Sequence, residues 1–144
     1  MRLQPNTLLV VAGPTASGKT ALAIELAKAV GGEIVSADSM QIYRGMDIAT
    51  AKPTPEELAA VPHHLIGFLP IDRSFSVADY ADLARKTIDD ILRRGKVPVL
   101  CGGTGLYIKA IVDNVQYGED IPSNEALRES LRQLAEREGN EALW

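Results

Sequence analysis

Eight consecutive residues near the amino terminus carry the clearest chemical signal in the chain. Gly13, Pro14, Thr15, Ala16, Ser17, Gly18, Lys19 and Thr20 satisfy the G-x-x-x-x-G-K-[ST] spacing of a phosphate-binding loop. Small residues let the backbone wrap an anion, so that successive N–H groups and the positive end of the following helix point at it. Lys19 adds a full positive charge, and the Thr20 hydroxyl is placed to ligate Mg²⁺. ATP, GTP and a prenyl diphosphate all suit this chemistry, so the loop leaves its phosphate unnamed.

A nucleotide-hydrolysing loop of this kind needs an acid at the end of a second buried strand to organise Mg²⁺ and water. The apolar run Val97 to Cys101 instead ends in Gly102-Gly103-Thr104. Asp38, a short step after Ile34 and Val35, is the nearest acid, and its turn position suits a carboxylate that meets the substrate rather than one serving only the metal. Asp47 is a further candidate for the metal, with a turn carboxylate as the competing reading.

These groups need a frame. Leu8 to Ala12 is a short apolar run ending at Gly13, as expected of a buried central strand. Leu22, Ala23, Leu26, Ala27 and Val30 recur at helical spacing before Gly31-Gly32, and Glu33 to Ser36 restarts as a strand. Strand, helix and strand within about 30 residues form a βαβ unit with parallel strands. Thr54 and Glu57 fit a capping box on a short helix between Pro53 and Pro62. Ser76 caps a longer helix whose Val77, Tyr80, Ala81, Ala84, Ile88, Ile91 and Leu92 share a face, closed by Gly95. Val97 to Cys101 reads as another buried strand, weakened by Pro98, and Leu106 to Val112 starts a helix. After a loop from Asp113 to Pro122, Leu127, Leu131 and Leu134 stripe a last helix with no later element to cover them. The expected fold is α/β: a parallel sheet of the P-loop NTPase kind flanked by helices, with a core over 1–122.

With 144 residues and 46% hydrophobic side chains, the chain can bury a real core. A net charge of −4 argues against a broad basic face for nucleic acid, although a local cluster can still meet a phosphate backbone. Cys101 is the single cysteine, which excludes an internal disulfide and suits a reducing, cytoplasmic setting. No export signal or run of about 20 apolar residues is present, so no membrane association is expected.

Four stretches, in order, resemble the tRNA dimethylallyltransferases, also called tRNA isopentenyltransferases: Gly13 to Thr20, Ser36 to Pro53, Pro62-His63-His64-Leu65 and Gly102-Gly103-Thr104-Gly105-Leu106-Tyr107. The resemblance implies transfer of a dimethylallyl group from dimethylallyl diphosphate to the exocyclic amine of the adenine next to the tRNA anticodon. ATP is not hydrolysed, and the loop grips the donor diphosphate with Mg²⁺. By the same resemblance Asp38 is the general base, Thr104 lies near the bridging oxygen of the diphosphate, and Asp38, Ser39, Met40 and Gln41 surround the target adenine. Arg128 matches an arginine that reaches the substrate, against the alternative of a solvated charge on an amphipathic helix. The adenine must leave its stack to reach the donor, which implies base flipping from the anticodon stem-loop into a channel shared with a second domain. The family resemblance also implies that 123–144 is the start of a helical insertion. Members of the family continue for about as many residues again, so this chain, expected as a monomer, is read as an N-terminal portion that transfers little by itself. An adenylate prenyltransferase of the cytokinin type and an ATP-dependent small-molecule kinase are the competing activities.

Blander readings hold elsewhere. His63 and His64 point to opposite sides of an extended segment and suit structure or surface better than metal. Cys101 reads as a buried apolar residue. Tyr43, Tyr107 and Phe68 read as core or wall residues before stacking platforms. Lys52 and Arg44 are either contacts to RNA phosphate or exposed solvated charges.

Overall fold

The computed structural model describes residues 3–47, 51–117, 124–139 and 141. Strand β1 (Leu9–Ala12) leads through the phosphate loop into helix α1 (Lys19–Val30) and strand β2 (Gly32–Ser36). Helix α2 (Pro55–Ala60), the two-residue strand β3 (His63–His64), helix α3 (Val77–Arg93) and strand β4 (Val97–Gly102) follow. Helices α4 (Gly105–Val112) and α5 (Glu125–Glu138) come last. The four strands form one parallel sheet in the order β1-β4-β2-β3. The expected α/β architecture is therefore the observed one. The expected division at 122/123 lies outside the described residues.

Side chains alternate across the sheet, so each strand feeds two packing layers. On one face Val11, Ile34, Val99 and Cys101 meet Ala23, Ile24 and Ala27 of α1. On the other, Val35, Ala37 and Leu100 meet Tyr80, Ala84, Ile88 and Ile91 of α3 and Tyr107 of α4. The expected α1 face is shifted: Leu22 is exposed, and Ile24, absent from the sequence pattern, is buried. Ala23 and Ala27, one turn apart, bring the helix close to the sheet. That contact rotates Leu22 off the buried stripe.

Gly31 ends α1 at φ +63°, its N–H reaching back to Ala27 and Lys28 carbonyls. Gly32 does different work. A Cβ there would stand 2.4 Å from the Val97 carbonyl oxygen, so β2 can begin against β4 only without a side chain. Pro98 does not shorten β4, which pairs with β2 along Val97 to Cys101. Pairing with β1 starts two residues after pairing with β2, at Leu9 opposite Val99, so the missing donor falls where the strand is flanked on one side.

Capping explains both interior helix starts. The Thr54 hydroxyl accepts from Glu57 N while the Glu57 carboxylate takes Thr54 N; Ser76 and Asp79 repeat the arrangement on α3. At the far end of α3, Arg94 forms a fork on Glu33 (2.5 and 2.8 Å), and His64 Nε2 meets the same carboxylate at 2.7 Å. Glu33 is 8% exposed, and the Arg94 hydrogen bond, opposed by burial and aided by His64, holds its carboxyl down at about 2. Adjacent His63 and His64 do face opposite sides: His64 joins Glu33, while His63 lies beside Ile34 on the α1 face.

Tyr80 stacks on Tyr107 with ring centroids 3.9 Å apart, and its hydroxyl donates to the Ser36 carbonyl at 2.8 Å. This links α3, α4 and the end of β2 in one buried contact. Helix α5 starts at Asn124, whose side chain accepts from Leu127 N, and none of its residues is buried among the described parts of the chain. Among the described residues no helix is long and apolar enough to cross a membrane.

Candidate phosphate-binding site

All strands are parallel, so the turns that follow β1, β2 and β4 emerge along one edge of the sheet. The first is the loop ahead of α1. Gly18 caps α1 at φ +80°, and Ala16 adopts φ +60°, a left-handed conformation unusual for a residue with a side chain. The Pro14 carbonyl accepts from both Ser17 Oγ (2.8 Å) and Lys19 Nζ (2.9 Å), which draws the loop around a single oxygen. Thr15 to Ala21 then line a cleft of about 240 Å³, completed by Asp38, Gln41, Ala51 and Glu57. The structure thus brings the loop and Asp38 into one concavity.

A small set of contacts fixes the second and third turns against the first. Gly13 N donates to the Gly102 carbonyl (3.3 Å), Ala37 N to Cys101 (2.8 Å) and Thr104 N to Ala37 (3.1 Å). Ser39 N donates to Thr104 Oγ1 at 2.9 Å, and that hydroxyl donates on to Ser39 Oγ at 3.2 Å. Glycine is required at this crossing. A Cβ on Gly102 would lie 2.2 Å from the Ala37 oxygen, and one on Gly103 would lie 3.0 Å from the Gly13 oxygen and 3.8 Å from Lys19 Nζ.

Asp38 is half-buried, and its Oδ1 accepts from Met40 N (2.9 Å) and Gln41 N (3.2 Å). Two amides therefore orient the carboxylate. Gln41 Nε2 donates to the Ala51 carbonyl at 3.1 Å and Gly67 N to the Gln41 carbonyl at 2.8 Å, which ties this wall to the next loop. Ser39 is half-buried behind the wall and Met40 is exposed. Arg128 is not gathered in. It lies on α5, exposed, with Glu125 at 3.7 Å, and does not line the cleft.

Both expectations for Lys52 fail. Its side chain is 7% exposed, neither solvated nor offered to RNA, because Nζ donates to the Tyr43 carbonyl (2.5 Å) and to Asp47 Oδ1 (2.7 Å). The aliphatic stem is buried and the ammonium closes a loop. Asp47 is accordingly a partner of Lys52, and Arg44 is exposed. These residues border a separate cleft of about 660 Å³ that contains neither the phosphate loop nor Asp38. Tyr43 is half-buried and bridges to Leu69, whereas Tyr107 is core, as expected.

Burial pushes the Cys101 thiol up, outweighing the Lys19 ammonium, and its Sγ packs 3.8 Å from the Lys19 carbonyl. His63 Nδ1 sits 2.8 Å from the Val61 carbonyl, and desolvation lowers its pKa. Among the described residues, two buried side-chain atoms have no hydrogen-bond partner: His63 Nε2 and Ser36 Oγ. Glu57, read from the sequence only as a cap, also lines the phosphate cleft. Among the described residues no group of three or more His, Cys, Asp or Glu side chains is arranged to hold a metal.

The IPP transferase family model matches residues 41–144. The tRNA dimethylallyltransferase of an Exiguobacterium species is 55% identical over 141 residues, covering 98% of this chain and 45% of that protein. The crystal structure of the full-length tRNA isopentenylpyrophosphate transferase of Bacillus halodurans superposes with a TM-score of 0.76 at 48% identity, over 96% of this chain and 45% of that one. A eukaryotic dimethylallyltransferase acting on tRNA superposes at 0.74 with 27% identity, over 94% of this chain and 36% of that one. The chain thus spans about 45% of the length of these two bacterial relatives.

Proposed function

This chain belongs to the IPP transferase family, and from that membership we propose that it supplies the donor-binding and proton-accepting half of a tRNA dimethylallyltransferase. The observation that carries the reading is the shared cleft: the phosphate loop and Asp38 face the same space, with Thr104 hydrogen-bonded to the residue after Asp38.

In this reading the loop Gly13 to Thr20, through the amides of Thr15 to Thr20, the α1 terminus and Lys19, binds the diphosphate of dimethylallyl diphosphate. The exocyclic adenine nitrogen attacks the prenyl carbon, the carbon–oxygen bond breaks, and the diphosphate leaves with the electron pair into that set of donors. Asp38 takes the proton released by the nitrogen. An oriented carboxylate contributes about 10²- to 10⁴-fold to such a step. The Thr104 proton, now directed at Ser39 Oγ over a long 3.2 Å, is available to the bridging oxygen. Ser39, Met40 and Gln41 form the side on which the adenine of the anticodon stem-loop arrives, and Arg128 joins only as α5 meets the substrate.

Thr20 is the residue that would hold Mg²⁺, together with diphosphate oxygens, and the ion when bound neutralises charge on the leaving group. A single hydroxyl beside substrate oxygens fits a cation that prefers oxygen and retains water. We also infer a core over 1–122, a second helical unit beginning at 123–144, supported by the absence of any buried residue in α5, and a cytoplasmic setting.

Titration with dimethylallyl diphosphate and with ATP tests the donor, and Asp38→Asn tests the base in an anticodon stem-loop modification assay with the longer protein. Donor binding should survive Asp38→Asn while transfer falls by about 10²-fold or more. Preference for ATP, with loss of its outermost phosphate, would refute the proposal.

A further inference from the structure

Ser36 closes β2 two residues before Asp38. The residue is 2% exposed, yet its hydroxyl has no hydrogen-bond partner among the described residues. A serine hydroxyl can donate once and accept twice, and burying it without a partner is costly, so such an atom asks for an explanation.

The sheet register shows where the hydroxyl faces. Ser36 is paired with Cys101 on β4 and shares its face with Ile34. Ile34, Val99 and Cys101 all pack on α1, and Cys101 Sγ lies against the carbonyl of Lys19, in the first turn of that helix. Ser36 Oγ therefore lies on the α1 face of the sheet, under the helix whose first residues, Lys19 and Thr20, line the cleft. Its main chain is held from the opposite side of the sheet. The Tyr80 hydroxyl donates to the Ser36 carbonyl at 2.8 Å, and Ala37 N donates to the Cys101 carbonyl at 2.8 Å. The backbone around the residue is engaged while its side chain is left open.

We propose that Ser36 is a positioning residue for the divalent cation: its hydroxyl hydrogen-bonds a water in the hydration shell of a Mg²⁺ held by Thr20 and the donor diphosphate. Magnesium surrenders its waters reluctantly and is commonly fixed through them, so an uncharged hydroxyl that does not itself ligate the ion suffices. A neutral anchor also suits a site without a metal-serving acid at the end of β4, where Gly102-Gly103-Thr104 stands. The inference rests on the diphosphate-binding reading above.

The test is calorimetric titration of inorganic pyrophosphate into the 144-residue chain across a Mg²⁺ series, with thermal midpoints of the unliganded protein measured alongside. Ser36→Ala should weaken the Mg²⁺-dependent part of pyrophosphate affinity by about 10- to 100-fold. It should leave Mg²⁺-free affinity unchanged and hold or raise the unliganded midpoint, because an unpaired polar atom has been removed. Ser36→Thr, which keeps the hydroxyl, should retain the Mg²⁺ response. An equal Mg²⁺ response in wild type and Ser36→Ala overturns the inference, as does a lowered midpoint with that response intact, which assigns the hydroxyl to the fold. If Ser36→Ala does not fold, Ser36→Cys carries the same comparison. A wild-type chain that binds no pyrophosphate at any Mg²⁺ concentration sinks the diphosphate reading itself, a distinct failure.

Discussion

Replacing Gly102 by alanine tests how the site is held. The added Cβ would stand 2.2 Å from the Ala37 oxygen, 2.4 Å from its carbonyl carbon and 2.8 Å from its Cα. An unstrained carbon–oxygen contact is about 3.3 Å, so the ends of β2 and β4 must separate by about 1 Å. No flexible side chain absorbs this, since every atom met is backbone. Overpacking of this kind costs about 1–3 kcal/mol, readable as a shifted urea midpoint with an unchanged slope. The displaced residue directly precedes Asp38, and Thr104 N bonds the same carbonyl at 3.1 Å. A misplacement of about 1 Å in a catalytic group can cost about 10²-fold, so with Asp38 as the proposed base and the loop as the proposed anion site, transfer in the longer protein should fall further than pyrophosphate binding. Gly105→Ala is the control: a Cβ there meets nothing within 4 Å, and stability should hold or rise. A Gly102→Ala protein as stable and active as its parent would refute the close-approach argument.

Glu33 is held at about 2 against an ordinary value of 4.5, so its contribution is complete above pH 4.5 and is lost as pH falls towards 2. The shift bounds that contribution at about 3 kcal/mol, less after screening of the 43%-exposed Arg94. Glu33→Gln should flatten acid destabilisation across this window, monitored by urea unfolding at successive pH values. Tyr80→Phe removes the donor to the Ser36 carbonyl while leaving the stack on Tyr107, and should cost about 1–2 kcal/mol in the same assay. Lys52→Met keeps the buried stem but strips the Tyr43 carbonyl and Asp47 of their donor. Hydrogen exchange should accelerate across residues 41–47, and stability should fall by about 1–3 kcal/mol.

Features governed by neighbours in sequence are legible in the residues themselves. The phosphate loop announces itself because Gly18 must take a left-handed turn immediately before Lys19 and Thr20 start a helix. Helix α3 has a capping pair at one end and a 3.6-residue apolar period along its length, so start, face and stop agree. What escapes such reading depends on partners distant in the chain or lacking a side-chain signature. Strand β3 is two residues long and exists only because β2 offers an edge. Lys52 reads as a surface charge because one of its two acceptors is a main-chain carbonyl, to which composition gives no clue. Ser36 follows Ile34 and Val35 and looks like a strand terminus; its isolation becomes visible only once register sets it beside Cys101. For Asp38 the turn is readable, but its meeting with Glu57 and Ala51 across the cleft is not.

The strand order has a consequence for assembly. Strand β1, the earliest strand among the described residues, has β4 as its only sheet neighbour among them, roughly 90 residues later in the chain. Until β4 emerges, the glycine-rich loop has no Gly102 carbonyl to anchor Gly13 and no Gly103 to back it. Anion affinity should therefore arrive late and all at once during synthesis, and truncations that stop before Gly102 should show none, however well α1 forms in them.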